Sequence, residues 1–177
     1  MRGAGMRCIA GARQWVRRGA IREYVLKGSE RVLEVSHLTK KFGELVAVND
    51  LSFRVEKGQV YGIAGPNGAG KSTVYNLITG NYGFQGEITF DGMRISGMSP
   101  HKIAQIGISR TFQVPRTFPS LTVHESIGVG ARFGDSAGFD PGRVDQIIDF
   151  LEMGEYRQRM TGELNLLGKK KLMIGAA

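Results

Sequence analysis

The chain has 177 residues, is 41% hydrophobic and 23% charged, and carries a formal net charge of +8. That is enough chain for one domain with a real core, and the composition is that of an ordinary globular protein, not a disordered or fibrous one. A single cysteine, Cys8, excludes a disulfide framework and fits a reducing compartment, and no apolar stretch approaches the length of a membrane span.

The basicity is concentrated at the start. Residues 1–30 hold seven Lys and Arg against two acidic residues, Glu23 and Glu30, a balance of +5 that leaves +3 for the rest of the chain. This extension lacks the apolar core of a secretory signal and the serines of an organelle transit peptide. Apart from Trp15 no aromatic is spaced to stack on bases, so the segment is expected to be a poorly ordered leader, or translated sequence upstream of the true start, in preference to an RNA- or membrane-surface arm.

The folded body is expected to begin near Arg31. VLEVSHL alternates as a strand, LVAVNDLSFRV supplies a second, and KFGE turns between them. Gln59 to Ala64 read as a short apolar strand, and that strand feeds the nine residues GPNGAGKST, Gly65 to Thr73. The spacing Gly65, Gly70, Lys71, Ser72 is that of a phosphate-binding loop. Its glycines, Gly65, Gly68 and Gly70, let the backbone of Gly65, Pro66, Asn67, Gly68, Ala69 and Gly70 curl so that successive N–H groups point at phosphate oxygens. A helix starting near Lys71 adds its positive end, Lys71 reaches the terminal phosphates, and the hydroxyl of Ser72 suits Mg²⁺. Thr73 is placed either to bond a phosphate or to bond within the first helical turn.

Beyond the loop, the helix from Lys71 is expected to end at Gly80, followed by a strand over GEITFDG, Gly86 to Gly92. Ser99-Pro100 opens a short helix through Gln105. After ISRTFQ and the proline-punctuated VPRTFPS, Thr122 to Phe133 reads as a helix opened by a capping box, Thr122 with Glu125. Asp140-Pro141 starts another, carrying VDQIIDFLEM, and GELNLLGKKKLMIGAA is a turn entering one more. Lys169, Lys170 and Lys171 read as a solvated face, and His37, His101 and His124 stand singly, as surface or structural residues and not metal ligands. The order suggests an α/β nucleotide-binding core with an inserted helical part.

A phosphate loop does not by itself separate GTPases, kinases, helicases and transport ATPases, although the absence of Asn-Lys-x-Asp speaks against a GTPase. Gln113, in ISRTFQ, lies 42 residues after Lys71, and Phe42 lies 29 residues before it. With these in place the chain, from about Arg31 onward, resembles the ATP-binding subunit of ABC transporters. KKFGELVAVNDLSFRVEKGQVYGIAGPNGAGKSTVYNLITGNY and GISRTFQVPRTFPSLTVHESI are similar to the subgroup that serves branched-chain amino acid importers.

The resemblance implies a P-loop NTPase core with an N-terminal antiparallel β part and an inserted helical subdomain. It implies ATP and Mg²⁺ as cofactors, Phe42 as the aromatic that stacks on adenine, and Gln113 as the glutamine that touches Mg²⁺ or the attacking water. It implies integral-membrane permease subunits and a second ATP-binding subunit as partners, at the cytoplasmic face of the membrane, with the solute handled by other subunits and no direct nucleic-acid binding. An importer for urea or another amide, a non-transport ABC protein acting on nucleic acid and a hydrolysis-dead nucleotide-binding module are the alternatives.

Two departures from the family pattern stand out. Where the family reads near Leu-Ser-Gly-Gly-Gln, this chain has Leu164-Asn165-Leu166-Leu167-Gly168, with Asn165 expected to donate in place of the serine and Gly168 to allow close approach. The strand that would end in the Mg²⁺-associated Asp and the base Glu does not occur by Ala177. The domain over 31–177 is therefore expected to be truncated before the second nucleotide-site strand, to leave the phosphate-loop strand partly unpaired, and to be deficient in hydrolysis alone.

Overall fold

Period-two apolar patterning and glycine-marked turns build the first of two compact units, Met1–Ser99; the second spans Pro100–Ala177. The computed structural model describes residues 7–9, 32–133 and 140–177. The expected start near Arg31, and the basic extension other than residues 7–9, lie outside the described residues.

The first unit contains, in chain order, strands β1 (Arg7–Ile9), β2 (Leu33–Phe42), β3 (Leu45–Val55) and β4 (Gly62–Ala64), helix α1 (Lys71–Ile78), and strands β5 (Gln85–Phe90) and β6 (Met93–Arg94). Four strands form an antiparallel sheet in the order β3-β2-β5-β6. Its inner face contributes Val35, Leu38, Val48 and Ile88, all essentially buried, as are Val74, Leu77 and Ile78 of α1.

The β2–β3 ladder carries register shifts between Val35 and Lys41. There His37 and Asp50 both take left-handed backbone, φ 52° and 47°, and their side chains meet, Nδ1 to Oδ1, at 2.7 Å. The hydroxyl of Ser52 accepts the His37 N–H at 2.8 Å, and that of Thr39 accepts the Asp50 N–H at 2.9 Å. These bonds replace ladder bonds the bulge disrupts. Past the bulge the pairing resumes to Phe42 opposite Leu45. Phe42, expected on the turn, is thus the last residue of β2.

Three details differ from expectation. Gln59 to Tyr61 are not in the strand: β4 is only Gly62–Ala64, and Tyr61 stacks on Phe53 instead, 4.9 Å between centroids at 9°. The strand over GEITFDG is half of a hairpin whose Asp91-Gly92 turn, both residues at positive φ, returns through β6. The phosphate-loop strand β4 has a neighbour on one edge, pairing antiparallel with β1 from within the segment expected to be poorly ordered.

The second unit consists of α2 (Pro100–Gln105), α3 (Val123–Phe133), α4 (Pro141–Phe150) and α5 (Leu166–Gly175), with 3₁₀ turns at Gly154–Tyr156 and Thr161–Glu163. Val123 and Ile127 of α3, Val144 and Ile148 of α4 and Leu172 of α5 close one apolar core with Leu151, Met153 and Leu164. The capping box forms as expected: the backbone N–H and hydroxyl of Thr122 donate to Glu125, at 2.8 and 3.0 Å, and the Glu125 N–H returns to the hydroxyl. Those bonds, the backbone one foremost, hold the Glu125 carboxyl below its ordinary range.

Asp140 caps α4 by accepting from Gly142 N–H at 2.9 Å, also as expected. That helix stops at Phe150 and not at Met153, because Glu152 turns left-handed at φ 53°. Arg157 donates to Asp145 of α4, with the ring of His124 3.5 Å from the same carboxylate oxygen. The guanidinium bond pulls the Asp145 carboxyl below its ordinary range. Lys171 is not part of a solvated face: its Nζ donates to the Leu151 carbonyl at the end of α4, at 2.8 Å, and lies 3.5 Å from Glu152.

Candidate functional site

Residues 65–68 lie exposed between β4 and α1. Gly68 and Gly70 take φ 83° and 87°, the left-handed region that the glycine spacing foretells. Gly70 is also where the loop meets the sheet: a Cβ there would lie 2.2 Å from the carbonyl oxygen of Ala47 on β3. The loop is thereby seated on a strand of the main sheet.

Gly70 is the N-cap of α1 and offers no side chain to the first-turn amides, and the first turn holds no acidic residue. Neither a cap side chain nor a first-turn carboxylate therefore offsets the positive end of α1. Lys71 folds back across the loop, its Nζ donating to the carbonyls of Gly65 at 2.6 Å and Pro66 at 2.7 Å. The ammonium is therefore held against the backbone of the loop itself, where the Ala69 N–H also donates to the Pro66 carbonyl, at 3.2 Å. Ser72, the second residue of α1, is exposed, while Thr73 is half-buried.

Phe42 belongs to the same unit and is 43% exposed. Its ring meets that of Tyr82 edge to face, 5.4 Å between centroids at 87°. The Nζ of Lys40 lies 4.9 Å from the Phe42 centroid and donates to the Gly83 carbonyl at 2.7 Å. Lys40 and Tyr82 were not singled out from sequence, since nothing in their local context marks two residues 42 positions apart as neighbours.

Gln113, Asn165 and Gly168 belong to the second unit. Gln113 is exposed at a bend, and the N–H of the preceding Phe112 donates to the sulfur of Met173 on α5 at 3.2 Å. Asn165 departs from the expected donor role in one respect: its Oδ1 accepts the Gly168 N–H at 2.8 Å as the N-cap of α5. Asn165 and Gly168 are thus brought together, by the helix start that they form. Among the described residues no group of three or more His, Cys, Asp or Glu could hold a metal ion, and no helix is long and apolar enough to cross a membrane. Oxygen donors suited to a hard cation are present in the Ser72 hydroxyl and the Gln113 amide.

Known proteins are similar to this chain in sequence and in fold. The branched-chain amino acid transport ATP-binding protein BraF of Pseudomonas aeruginosa is 49% identical over 100 residues, a match covering 56% of this chain and 39% of that protein. The probable branched-chain amino acid transport ATP-binding protein LivG of Archaeoglobus fulgidus is 39% identical over 166 residues, covering 81% of this chain and 63% of that protein. The chain thus spans between two-fifths and two-thirds of the length of these relatives.

Among solved structures, the ADP conformation of an ATP-binding cassette of an ABC transporter superposes with a TM-score of 0.69 at 30% identity, over 84% of this chain and 64% of that one. A nucleotide-free cassette superposes at 0.63 and 29% identity, over 82% and 65%. The fold, an antiparallel β part, a strand–loop–helix and a helical unit, is that of such cassettes, expected from sequence and found. The family model described as ABC transporter matches residues 48–175, well over half of the chain, which therefore belongs to the ABC transporter family.

Proposed function

We propose that this chain is part of the ATP-binding and ATP-hydrolysing subunit of an ABC importer for branched-chain amino acids. The observation that carries the reading is the loop at Gly65–Thr73, where two left-handed glycines, a helix start without a side-chain cap and the Lys71 ammonium bonded back to the Gly65 carbonyl occur together. The relatives named as branched-chain amino acid transport ATP-binding proteins support the solute class.

In this reading Lys71 exchanges its two carbonyl partners for the terminal phosphates, and the N–H groups of the loop from Gly65 to Gly70 cradle the chain of phosphates. Thr73 bonds a phosphate from the first turn of α1. Phe42 lends a flat apolar face to adenine. Ser72 and Gln113 supply oxygens to Mg²⁺, which when bound neutralises charge building on the transferred phosphoryl group. The signature-like turn at Asn165 and Gly168 faces the nucleotide of a second ATP-binding subunit. Its Asn165 carbonyl is already engaged by Gly168, so the helix start and the amide nitrogen are what it has to offer. Permease subunits at the cytoplasmic face of the membrane complete the assembly, and ATP-driven closure shifts their population.

The test is Mg-ATP binding by the chain and by its Lys71→Ala variant, measured by calorimetry. Lys71→Ala is expected to weaken binding at least roughly tenfold, the scale of a charge-assisted phosphate contact. Equal affinity for the two proteins would remove the reading.

A further inference from the structure

Lys40, Phe42 and Tyr82 form a cluster that the phosphate loop does not explain. Phe42 stands at the very end of β2, beside the two-residue turn Gly43-Glu44, where a lone aromatic would be poorly restrained. Here it is held from two directions. Tyr82 presents an edge-to-face contact in the favourable range, 5.4 Å at 87°. Lys40 is two residues earlier on the same strand, and although the pairing with β3 shifts between Lys40 and Lys41, its side chain reaches the Phe42 ring. Its Nζ bonds the Gly83 carbonyl at 2.7 Å while lying 4.9 Å from the Phe42 centroid and 5.8 Å from that of Tyr82.

The turn that presents Tyr82 is itself fixed. Gly80, left-handed at φ 74°, closes α1: its N–H bonds the Leu77 carbonyl at 3.1 Å, and the Asn81 N–H bonds that of Asn76 at 2.9 Å. These are the two bonds of a Schellman motif. Asn81 Nδ2 adds a bond to the Thr79 hydroxyl, which donates to the Tyr75 carbonyl. Tyr82 is thus mounted on the C-terminal end of the helix whose N-terminal end carries the phosphate loop.

Two aromatics that serve only to pack would be expected to bury their rings. These remain 43% and 45% exposed while their mutual geometry is set by a bonded lysine and a closed turn. We propose that Lys40 and Tyr82 are positioning residues, holding the Phe42 ring as a preorganised stacking face for the base of the bound nucleotide. The inference rests on the adenine reading of Phe42 given above. Preorganisation removes the ordering cost that a free ring would contribute on binding.

The experiment compares ATP with inorganic tripolyphosphate, which keeps the phosphates and lacks the base, as ligands of the 177-residue chain. Tyr82→Ala should weaken ATP roughly three- to tenfold and leave tripolyphosphate within about twofold. Tyr82→Phe, which keeps the ring, should restore ATP affinity. Lys40→Met should weaken ATP roughly two- to fivefold. Because both act through Phe42, Phe42→Ala combined with Tyr82→Ala should bind ATP no worse than Phe42→Ala alone. An equal loss for both ligands in Tyr82→Ala would overturn the inference, since it places the effect on the loop or the fold. So would unchanged ATP binding in Tyr82→Ala beside a loss in Phe42→Ala. If Phe42→Ala leaves the ratio of the two affinities unchanged, the adenine reading falls and the positioning role falls with it.

Discussion

The thioether sulfur of Met173 accepts the backbone N–H of Phe112 at 3.2 Å, joining residues 61 positions apart. The contact ties α5 to the loop that carries Gln113. The ring of Phe112, though 47% exposed, also has the Arg110 guanidinium 4.2 Å from its centroid. The residue before Gln113 is therefore restrained through both its main chain and its side chain.

Met173→Leu keeps the volume and shape of the side chain while deleting the acceptor. Hydrogen exchange at the Phe112 amide should accelerate by roughly three- to tenfold, the worth of one modest hydrogen bond, with little change in Tm. An unchanged exchange rate would mean that the sulfur does not hold this loop.

Gly70→Ala tests how the phosphate loop is seated. The new Cβ would be forced into left-handed backbone and to within 2.2 Å of the carbonyl oxygen of Ala47, the β3 residue skipped between Val46 and Val48 in the pairing with β2. The expected loss is about 2–4 kcal/mol in urea unfolding, combining φ strain with overpacking. Gly68→Ala shares the positive φ but meets nothing within 4 Å, so it should cost only about 1–2 kcal/mol. Equal losses at the two positions would contradict the close approach to Ala47.

The contrast between these glycines shows what was legible in the sequence. Gly68 and Gly70 take the positive φ that their place in the glycine spacing suggests, a local property that can be read without a structure. The capping box at Thr122 and the Asp140 cap were legible for the same reason, each being a local bond between residues two or three apart. The bulge at His37 and Asp50 was not, because it depends on which residues of two strands come to face each other. The two-residue strand β6 is too short to show a period. Lys171 reads as surface until the carbonyl of Leu151, 20 residues away, is placed beside it. Phe42 was singled out through its distance from Lys71 and the family resemblance, whereas its neighbours Lys40 and Tyr82 became visible only when the end of α1 was folded against the end of β2.

Two carboxylates are expected to contribute to acid sensitivity of the helical unit. Glu125 and Asp145 both have folded-state pKa values below their ordinary ones, through the Thr122 bonds and the Arg157 bond respectively. A carboxyl depressed in the folded state stabilises it at every pH above the unfolded value, near 4. That contribution is lost as pH falls through the lowered folded values. Thermal unfolding followed by circular dichroism should therefore show Tm flat above about pH 5 and declining below about pH 4. Glu125→Gln with Asp145→Asn keeps acceptors in place but removes both titrations, so the decline should become shallower. A slope identical to that of the unmodified chain would mean that other carboxylates carry the acid sensitivity.

Asn165 separates a structural role from a recognition role at the turn entering α5. Its Oδ1 takes the Gly168 N–H at 2.8 Å, a bond that satisfies one of the orphan amides at the helix start. Asn165→Ala should cost about 1 kcal/mol of stability, and Asn165→Ser, which caps equally well, should cost almost none. If capping is all that the side chain does, ATP-dependent association with a second ATP-binding subunit should follow the same order, with Asn165→Ser intact. If the amide nitrogen also reaches the partner's nucleotide, Asn165→Asp provides the discriminating case. It caps as well as Asn and favours the positive end of the helix, so stability should hold or rise slightly. Its carboxylate would meet a phosphate in place of a donor, and association should fall by at least roughly tenfold. Intact association by Asn165→Asp would confine this residue to its helix.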